Sequence, residues 1–253
     1  MKMHILSGGR LQLKKQIYLP EAAPDEIITL PVSCFLFRHP QGNVLFDTGC
    51  HPSVAGNPEK RWGDMAQSVV PVMGVDDNIV SELRRVNLTP EEIDIVVNSH
   101  LHSDHCGCNE FFSKTKIYVH ADELAIARDP AREGRGYFKA DWDHPMPIIE
   151  VTGEVDIFAD GRIVLLPLPG HTPGLTGLFA SLPNSGAYLL TSDAVPLREN
   201  LDWEILPTNT WNPDLLTKSF TEIKRIGKSG AAVVCGHDLA QSSTFKTAEE
   251  FYD

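Results

Sequence analysis

No apolar run in the 253-residue sequence approaches the roughly 20 residues that a bilayer-spanning helix requires, which argues against a membrane-embedded protein. The opening Met1-Lys2-Met3-His4-Ile5-Leu6-Ser7-Gly8-Gly9 holds too short an apolar stretch for a secretory signal. Cysteine is scarce, and Cys34, Cys50, Cys106, Cys108 and Cys235 form an odd, scattered set that is no disulfide framework. The cytoplasm is therefore the expected compartment. Positive charge is in deficit, with 22 Lys and Arg against 34 Asp and Glu and a net charge of -12. Contacts to phosphate need a basic face, so a nucleic-acid partner is not expected. What remains is ordinary for a soluble globule: 42% hydrophobic and 22% charged residues, enough to bury a sizeable core. No internal repeat, low-complexity tract or convincing linker divides the chain, so one domain over residues 1–253 is expected.

Residues 18–31 and 50–74 are rich in Pro, Gly and polar side chains and read as loops. Residues 32–38 and 43–46 read as a hairpin about Pro40-Gln41-Gly42-Asn43 that delivers Asp47-Thr48-Gly49. Ile79, Leu83 and Val86 fall at helical spacing after an acidic cap at Asp76 or Asp77. Thr89-Pro90-Glu91-Glu92 carries the signals of a helix start: an N-cap, Pro at the first position and a capping-box Glu. A further helix is expected over residues 213–226, with Leu216, Phe220 and Ile223 on one face.

Four β-like runs end on residues able to bind a metal. Residues 93–97 run into His100, 163–168 into Pro169-Gly170-His171, 187–190 into Ser192-Asp193, and 231–235 into Gly236-His237. Strand ends of this kind place polar groups at one rim of a layered fold, where loops can converge. The densest feature is His100-Leu101-His102-Ser103-Asp104-His105, four ligand-type side chains in six residues. Imidazole and carboxylate together suit borderline divalent ions such as zinc. One zinc is satisfied by four or five ligands, so His100, His102, Asp104 and His105 with His171, Asp193 and His237 point to two ions. Asp104 and Asp193 offset only part of the charge of such a pair, which leaves an electrophilic centre. A centre of this type lowers the pKa of bound water and polarises a carbonyl or phosphoryl oxygen, and hydrolysis is the natural chemistry.

The six-residue run resembles the HxHxDH signature of the metallo-β-lactamase superfamily, and His171, Asp193 and His237 match that family's remaining ligands in order. Asp47-Thr48-Gly49 looks like its early Asp-Thr-Gly turn, in which the Asp supports the site from behind the ligands. His171 follows His105 by 66 residues, Asp193 follows His171 by 22, and His237 follows Asp193 by 44. This spacing is similar to that of the N-acyl homoserine lactonases, as are Gly170-His171-Thr172-Pro173-Gly174 and Gly236-His237-Asp238. The resemblance implies an α/β fold, a four-layer αβ/βα sandwich with the site at one rim. It implies two divalent ions, zinc in the first place with manganese, iron or cobalt as alternatives. His100, His102 and His171 would hold one, Asp104, His105 and His237 the other, with Asp193 between them. A bridging hydroxide would attack a lactone carbonyl, with Asp104 passing a proton to the leaving alkoxide. A small-molecule lactone is the implied substrate and a homodimer, through the segment 18–31, the implied assembly.

Two positions depart from the lactonase pattern. Asp193-Ala194-Val195-Pro196 puts Pro196 where those enzymes carry a substrate-facing Tyr, and Leu175 stands where they carry a His. Carbonyl polarisation would then rest on the metal, or on a hydroxyl from elsewhere such as Tyr18 or Tyr137. A thioesterase of the glyoxalase II type or an organophosphate hydrolase is the alternative on the same scaffold, though Lys246 alone is a poor match to a glutathione site. A flavin-linked di-iron protein would favour Glu at His102. Cys106, Cys108 and Cys235 read as buried packing residues rather than ligands. His4, His39, His51, His120 and His144 read as surface or structural. Trp62, Trp142, Trp203, Trp211 and Tyr137 are candidates for a hydrophobic pocket, with plain packing as the other reading.

Overall fold

The computed structural model describes residues 1–246 and 248–253. One sheet contains β1 (Lys2–Lys14), β2 (Ile27–His39), β3 (Gly42–Phe46), β4 (Val70–Pro71), β5 (Ile95–Val97), β6 (Lys116–His120) and β7 (Ile148–Val151), ordered β4-β1-β2-β3-β5-β6-β7. Its β1, β2 and β3 pair antiparallel, whereas β3, β5, β6 and β7 run parallel. The other sheet contains β8 (Val155–Asp156), β9 (Ile163–Pro167), β10 (Thr176–Leu182), β11 (Gly186–Leu190) and β12 (Ala232–Val234), ordered β12-β11-β10-β9-β8. It is antiparallel except for the β11–β12 pair. The helices are α1 (Pro58–Trp62), α2 (Ile79–Arg85), α3 (Ser103–Cys106), α4 (Ala121–Ala127), α5 (Lys139–Trp142), α6 (Arg198–Asp202), α7 (Pro213–Lys228) and α8 (Leu239–Ser242).

Period-two alternation decides which residues meet. In β2, Phe35 and Phe37 join Phe46 against Leu165, Leu178 and Leu190 of the other sheet, forming the central layer of core. The alternate residues Cys34 and Leu36 face the opposite way, onto Ile79 and Leu83 of α2. On the far side of the second sheet, Leu189 packs with Leu216, Phe220 and Ile223 of α7. The order helix, sheet, sheet, helix is the αβ/βα sandwich expected from the resemblance. α7 is the longest helix described, and its start follows the capping rules: Asn212 accepts from the Leu215 N–H at 3.0 Å and Pro213 occupies the first turn. Among the described residues no helix is long and apolar enough to cross a membrane.

The structure corrects four expectations, the first being the cap of α2: Asn78, accepting from the Val80 and Ser81 N–H groups, fills the place expected for Asp76 or Asp77. Residues 18–31 are only partly loop, since β2 begins at Ile27 and pairs with β1 from Lys14 onward. β1 shifts register between Ser7 and Arg10, and Gly8 and Gly9 at that break interrupt the alternation that would have announced a strand. Residues 50–74 contain α1 and the edge strand β4; Asn57 caps α1 by accepting from Lys60 N–H at 3.1 Å, and Trp62 anchors it in the core. The helix signal at Thr89 yields one 3₁₀ turn, Pro90–Glu92. Asp94 then bonds to Asn43 through both its backbone N–H (3.0 Å) and its carboxylate (2.7 Å), which draws the chain into β5 beside β3.

These layers put the ends of β3, β5, β9, β11 and β12 at a shared rim. Ser99 and Thr176 stitch the two sheets there, the Thr176 N–H donating to the Ser99 carbonyl at 2.8 Å. The turn after β3 packs so tightly that a Cβ on Gly49 would lie 2.4 Å from Gly8 Cα, and its φ of +74° is itself in the glycine region.

Truncating α7's central anchor tests the outer layer. Phe220→Ala should destabilise the protein by about 3–5 kcal/mol, because Phe220 is almost wholly buried and its loss leaves a cavity. Urea unfolding should show a lower midpoint at unchanged m-value.

Candidate metal centre

Seven side chains predicted as ligands do converge at the rim. The atoms of His100, His102 and His171 cluster within 4.8 Å of one another, as do those of His100, His105 and Asp193, and those of Asp104, His105 and His237. His102 turns Nδ1 inward, 3.0 Å from His100 Nε2 and 3.1 Å from His171 Nε2. Asp193 stands between the groups. Its Oδ1 lies 3.2 Å from His105 Nε2 and 2.9 Å from His237 Nε2, while Oδ2 lies 3.4 Å from His171 Nε2. Asp104 Oδ2 approaches His105 Nε2 at 3.5 Å and His237 Nε2 at 3.7 Å.

Local structure explains how each is presented. The run from His100 to His105 leaves β5 and turns into α3, so His102 precedes the helix while Asp104 and His105 sit within its first turn. His171 is fixed against the start of α7, where Trp211 N–H donates to its carbonyl at 3.2 Å and Asn212 N–H to that of Gly170 at 2.9 Å. Asp193 follows β11 through Ser192, which adopts φ 47°, an unusual conformation for a residue with a side chain. His237 follows β12, and its N–H donates to the Pro196 carbonyl at 2.9 Å.

Partners behind the ring fix which nitrogen faces the centre. His105 Nδ1 lies 2.9 Å from Asp47 Oδ2 and His237 Nδ1 2.9 Å from the Pro31 carbonyl. Both partners are acceptors, so each Nδ1 carries the proton and each Nε2 presents its lone pair. Asp47, held at φ 61°, also accepts from Ser99 N–H (2.7 Å) and Ser99 Oγ (2.8 Å). The Asp47 expectation is thus met in geometry. Ser99 and the Pro31 carbonyl carry no expectation from the sequence. Ser99 directly precedes the histidine run, but no sequence signal marks a carbonyl 206 residues away.

The donor set passes a simple fit test for metal. His105 Nε2, His237 Nε2 and Asp193 Oδ1 are buried and have no hydrogen-bond partner, although they lie close together. Buried polar atoms are normally satisfied, and lone pairs converging on one point are what a cation would satisfy. The electrostatics divide the imidazoles into two sets. Burial pushes His100 and His102 well below the usual imidazole value, which keeps them neutral. Burial also opposes charge on His105 and His237, but Asp104, Asp193 and Asp47 raise the first and Asp193 and Asp104 the second. Against its own burial, Asp193 is held well below the usual carboxylate range by His237, His105 and His171.

Beside this cluster opens a cavity of about 490 Å³, lined by Leu13, Tyr18, Met65, Val69, Tyr137 and Trp211 together with His102, Asp104, His171 and Asp193. Of the aromatic candidates, Tyr137 and Trp211 do line it, Trp62 and Trp142 are core, and Trp203 is 69% exposed away from it. Cys106, Cys108 and Cys235 are buried and belong to no ligand cluster among the described residues. His39 pairs with Asp160 (2.9 Å), His51 with Glu110 (2.7 Å), and His120 caps α4, none of them bonded to the candidate ligands.

A model of the metallo-beta-lactamase superfamily matches residues 27–237. The N-acyl homoserine lactonase AttM of Azorhizobium caulinodans is 30% identical over 260 residues, covering 100% of this chain and 99% of that protein. The N-acyl homoserine lactonase AiiA of Bacillus thuringiensis subsp. kurstaki is 29% identical over 252 residues, covering 99% and 98%. A solved N-acyl homoserine lactone hydrolase, with the product N-hexanoyl-L-homoserine at its catalytic metal center, matches at 30% identity and a TM-score of 0.88, covering 99% of this chain and 98% of that one. With its fold, its histidine run and this full-length similarity, the chain belongs to the metallo-beta-lactamase superfamily and within it is similar throughout to the N-acyl homoserine lactonases.

Proposed function

We propose that the protein is a dinuclear metal-dependent hydrolase that opens N-acyl homoserine lactones or related lactones. The observation that carries this is the placement of Asp193, whose two oxygens face different imidazole groups. Full-length similarity to lactonases, one of them solved with a ring-opened product at its metal centre, supports the substrate class. His100, His102 and His171 would hold one divalent ion, Asp104, His105 and His237 the other, and Asp193 would join both; zinc suits this nitrogen and oxygen set best. Such ions, when bound, acidify water and polarise the substrate carbonyl.

The protein's own groups account for the rest. Hydrolysis adds water across the ring C–O bond and leaves a carboxylate and an alcohol. Asp104 is the most accessible of the carboxylates here, at 19% side-chain exposure on the cavity wall, and is placed to accept a proton from the water and return it to the leaving oxygen. Tyr18 is a donor for the carbonyl oxygen. Its ring stacks on His237 with centroids 6.2 Å apart, and its hydroxyl has no hydrogen-bond partner among the described residues. Tyr137 is committed instead, donating to Glu123 at 2.9 Å. An apolar groove of about 580 Å³, lined in part by Ile27 and Val70, shares Leu13, Ile17 and Thr208 with the central cavity and offers room for an acyl chain. The same reading carries a cytoplasmic enzyme of one domain, and a homodimer is its expected assembly, checked by sedimentation.

The metal reading predicts about two ions per chain by mass spectrometry, with activity lost to chelators and restored by zinc, manganese or cobalt. Asp193→Ala should lower metal content and turnover more than any single His→Ala, since it serves both groups. Retention of both ions and of near wild-type turnover in Asp193→Ala would refute the bridging role. On a panel of acyl homoserine lactones, aryl lactones, S-lactoylglutathione and a phosphotriester, lactones should be hydrolysed fastest; a thioester rate above every lactone would replace this reading with the thioesterase one. Tyr18→Phe should lower kcat roughly a hundredfold, the cost typical of one lost oxyanion donor, at unchanged metal content and little changed KM. Unaltered kcat would remove Tyr18 from the reaction.

A further inference from the structure

Behind the histidines lies a carboxylate that the proposed reaction does not use. Glu123, in the first turn of α4, is fully buried, and no Lys, Arg or His pairs with it among the described residues. Isolation of a carboxylate in this way is costly unless its oxygens are well bonded. They are bonded, and to three separate segments. Oε1 accepts the Leu101 N–H at 3.0 Å and the Tyr137 hydroxyl at 2.9 Å, and Oε2 accepts the Gly174 N–H at 3.2 Å.

Each donor lies beside an imidazole of one group. Leu101 is the residue between His100 and His102. Gly174 closes the turn that begins with His171. Tyr137 sets its ring edge-on to His102, with centroids 4.7 Å apart. The turn at Gly174 comes so close that a Cβ there would lie 2.3 Å from Glu123 N, so only glycine allows this approach. His100 and His102 leave a strand of the first sheet, and His171 leaves a strand of the second. No comparable bond joins Glu123 to the segments bearing Asp193 or His237 among the described residues.

We infer that Glu123 is a positioning residue that sets the spacing of His100, His102 and His171, and hence the affinity of that one metal position. A carboxyl group suits the place because it can accept at both oxygens, whereas an amide would turn a donor toward the Gly174 or the Leu101 N–H. The role presupposes the two-metal reading of the centre, but not its substrate.

Cobalt alone, followed by its visible absorption, tests this without any lactone. In a His237→Ala background, where cobalt can be held by His100, His102 and His171, Glu123→Gln should weaken binding by about 10–100-fold, the usual effect of losing a group that orients ligands. In a His102→Ala background the same substitution should leave cobalt affinity unchanged. Tyr137→Phe, which removes one of the three bonds, should weaken the first background less than Glu123→Gln does. In the otherwise native protein, Glu123→Gln should retain one ion after dialysis instead of two. Equal weakening in both backgrounds, or retention of both ions or of neither, would overturn the assignment and leave Glu123 a general packing residue. A protein that binds cobalt as described yet opens no lactone would refute the substrate proposal while sustaining this one.

Discussion

The rest of the site depends on a crowding of unsatisfied lone pairs. His105 Nε2, His237 Nε2 and Asp193 Oδ1 meet in a buried space, 2.9 and 3.2 Å apart across Asp193 Oδ1, without a well-directed hydrogen bond. Hydrophobic packing does not produce such a meeting, since each group must be stripped of water and held against its neighbours. The scaffold supplies the opposing force. Asp47 and the Pro31 carbonyl grip the far nitrogens of two imidazoles, and Glu123 ties the loops that carry three others. The sandwich serves this arrangement by bringing five strand ends to one rim with a continuous apolar layer beneath.

Much of the site was legible because its chemistry is concentrated. Four ligand-type side chains within His100 to His105 have no packing explanation, and three later residues each follow a strand. Helix α7 was equally legible, since Leu216, Phe220 and Ile223 recur at helical spacing after Pro213. The lost elements fail for local reasons. β1 is hidden by the Gly8-Gly9 break, and α1 is a five-residue helix held by Trp62 rather than by any period of its own. The Thr89 signal was locally sound but was overruled by the pairing of Asp94 with Asn43.

Residues that act through the backbone leave the faintest trace in the sequence. Glu123 follows Asp122 and reads as an ordinary acid in a helix's first turn, where acidic residues are common for electrostatic reasons. Its partners are main-chain N–H groups, which carry no identity in the sequence. The same holds for the Pro31 and Pro196 carbonyls that orient His237. Tyr18 and Tyr137 could be named as hydroxyls but not told apart. Only their neighbours show that Tyr137 donates to Glu123, whereas Tyr18 has no hydrogen-bond partner for its hydroxyl among the described residues.

The bond between His237 and Pro31 also bears on how the protein is made. Pro31 lies in the second strand of the sequence and His237 follows the last, 206 residues later. A ribosome moving at about 5–20 residues per second would therefore leave the exposed histidine run waiting for on the order of ten seconds before its final partner emerges. Throughout that interval His100, His102, Asp104 and His105 lack His237, so the cluster at the rim closes only after the last strand has been made.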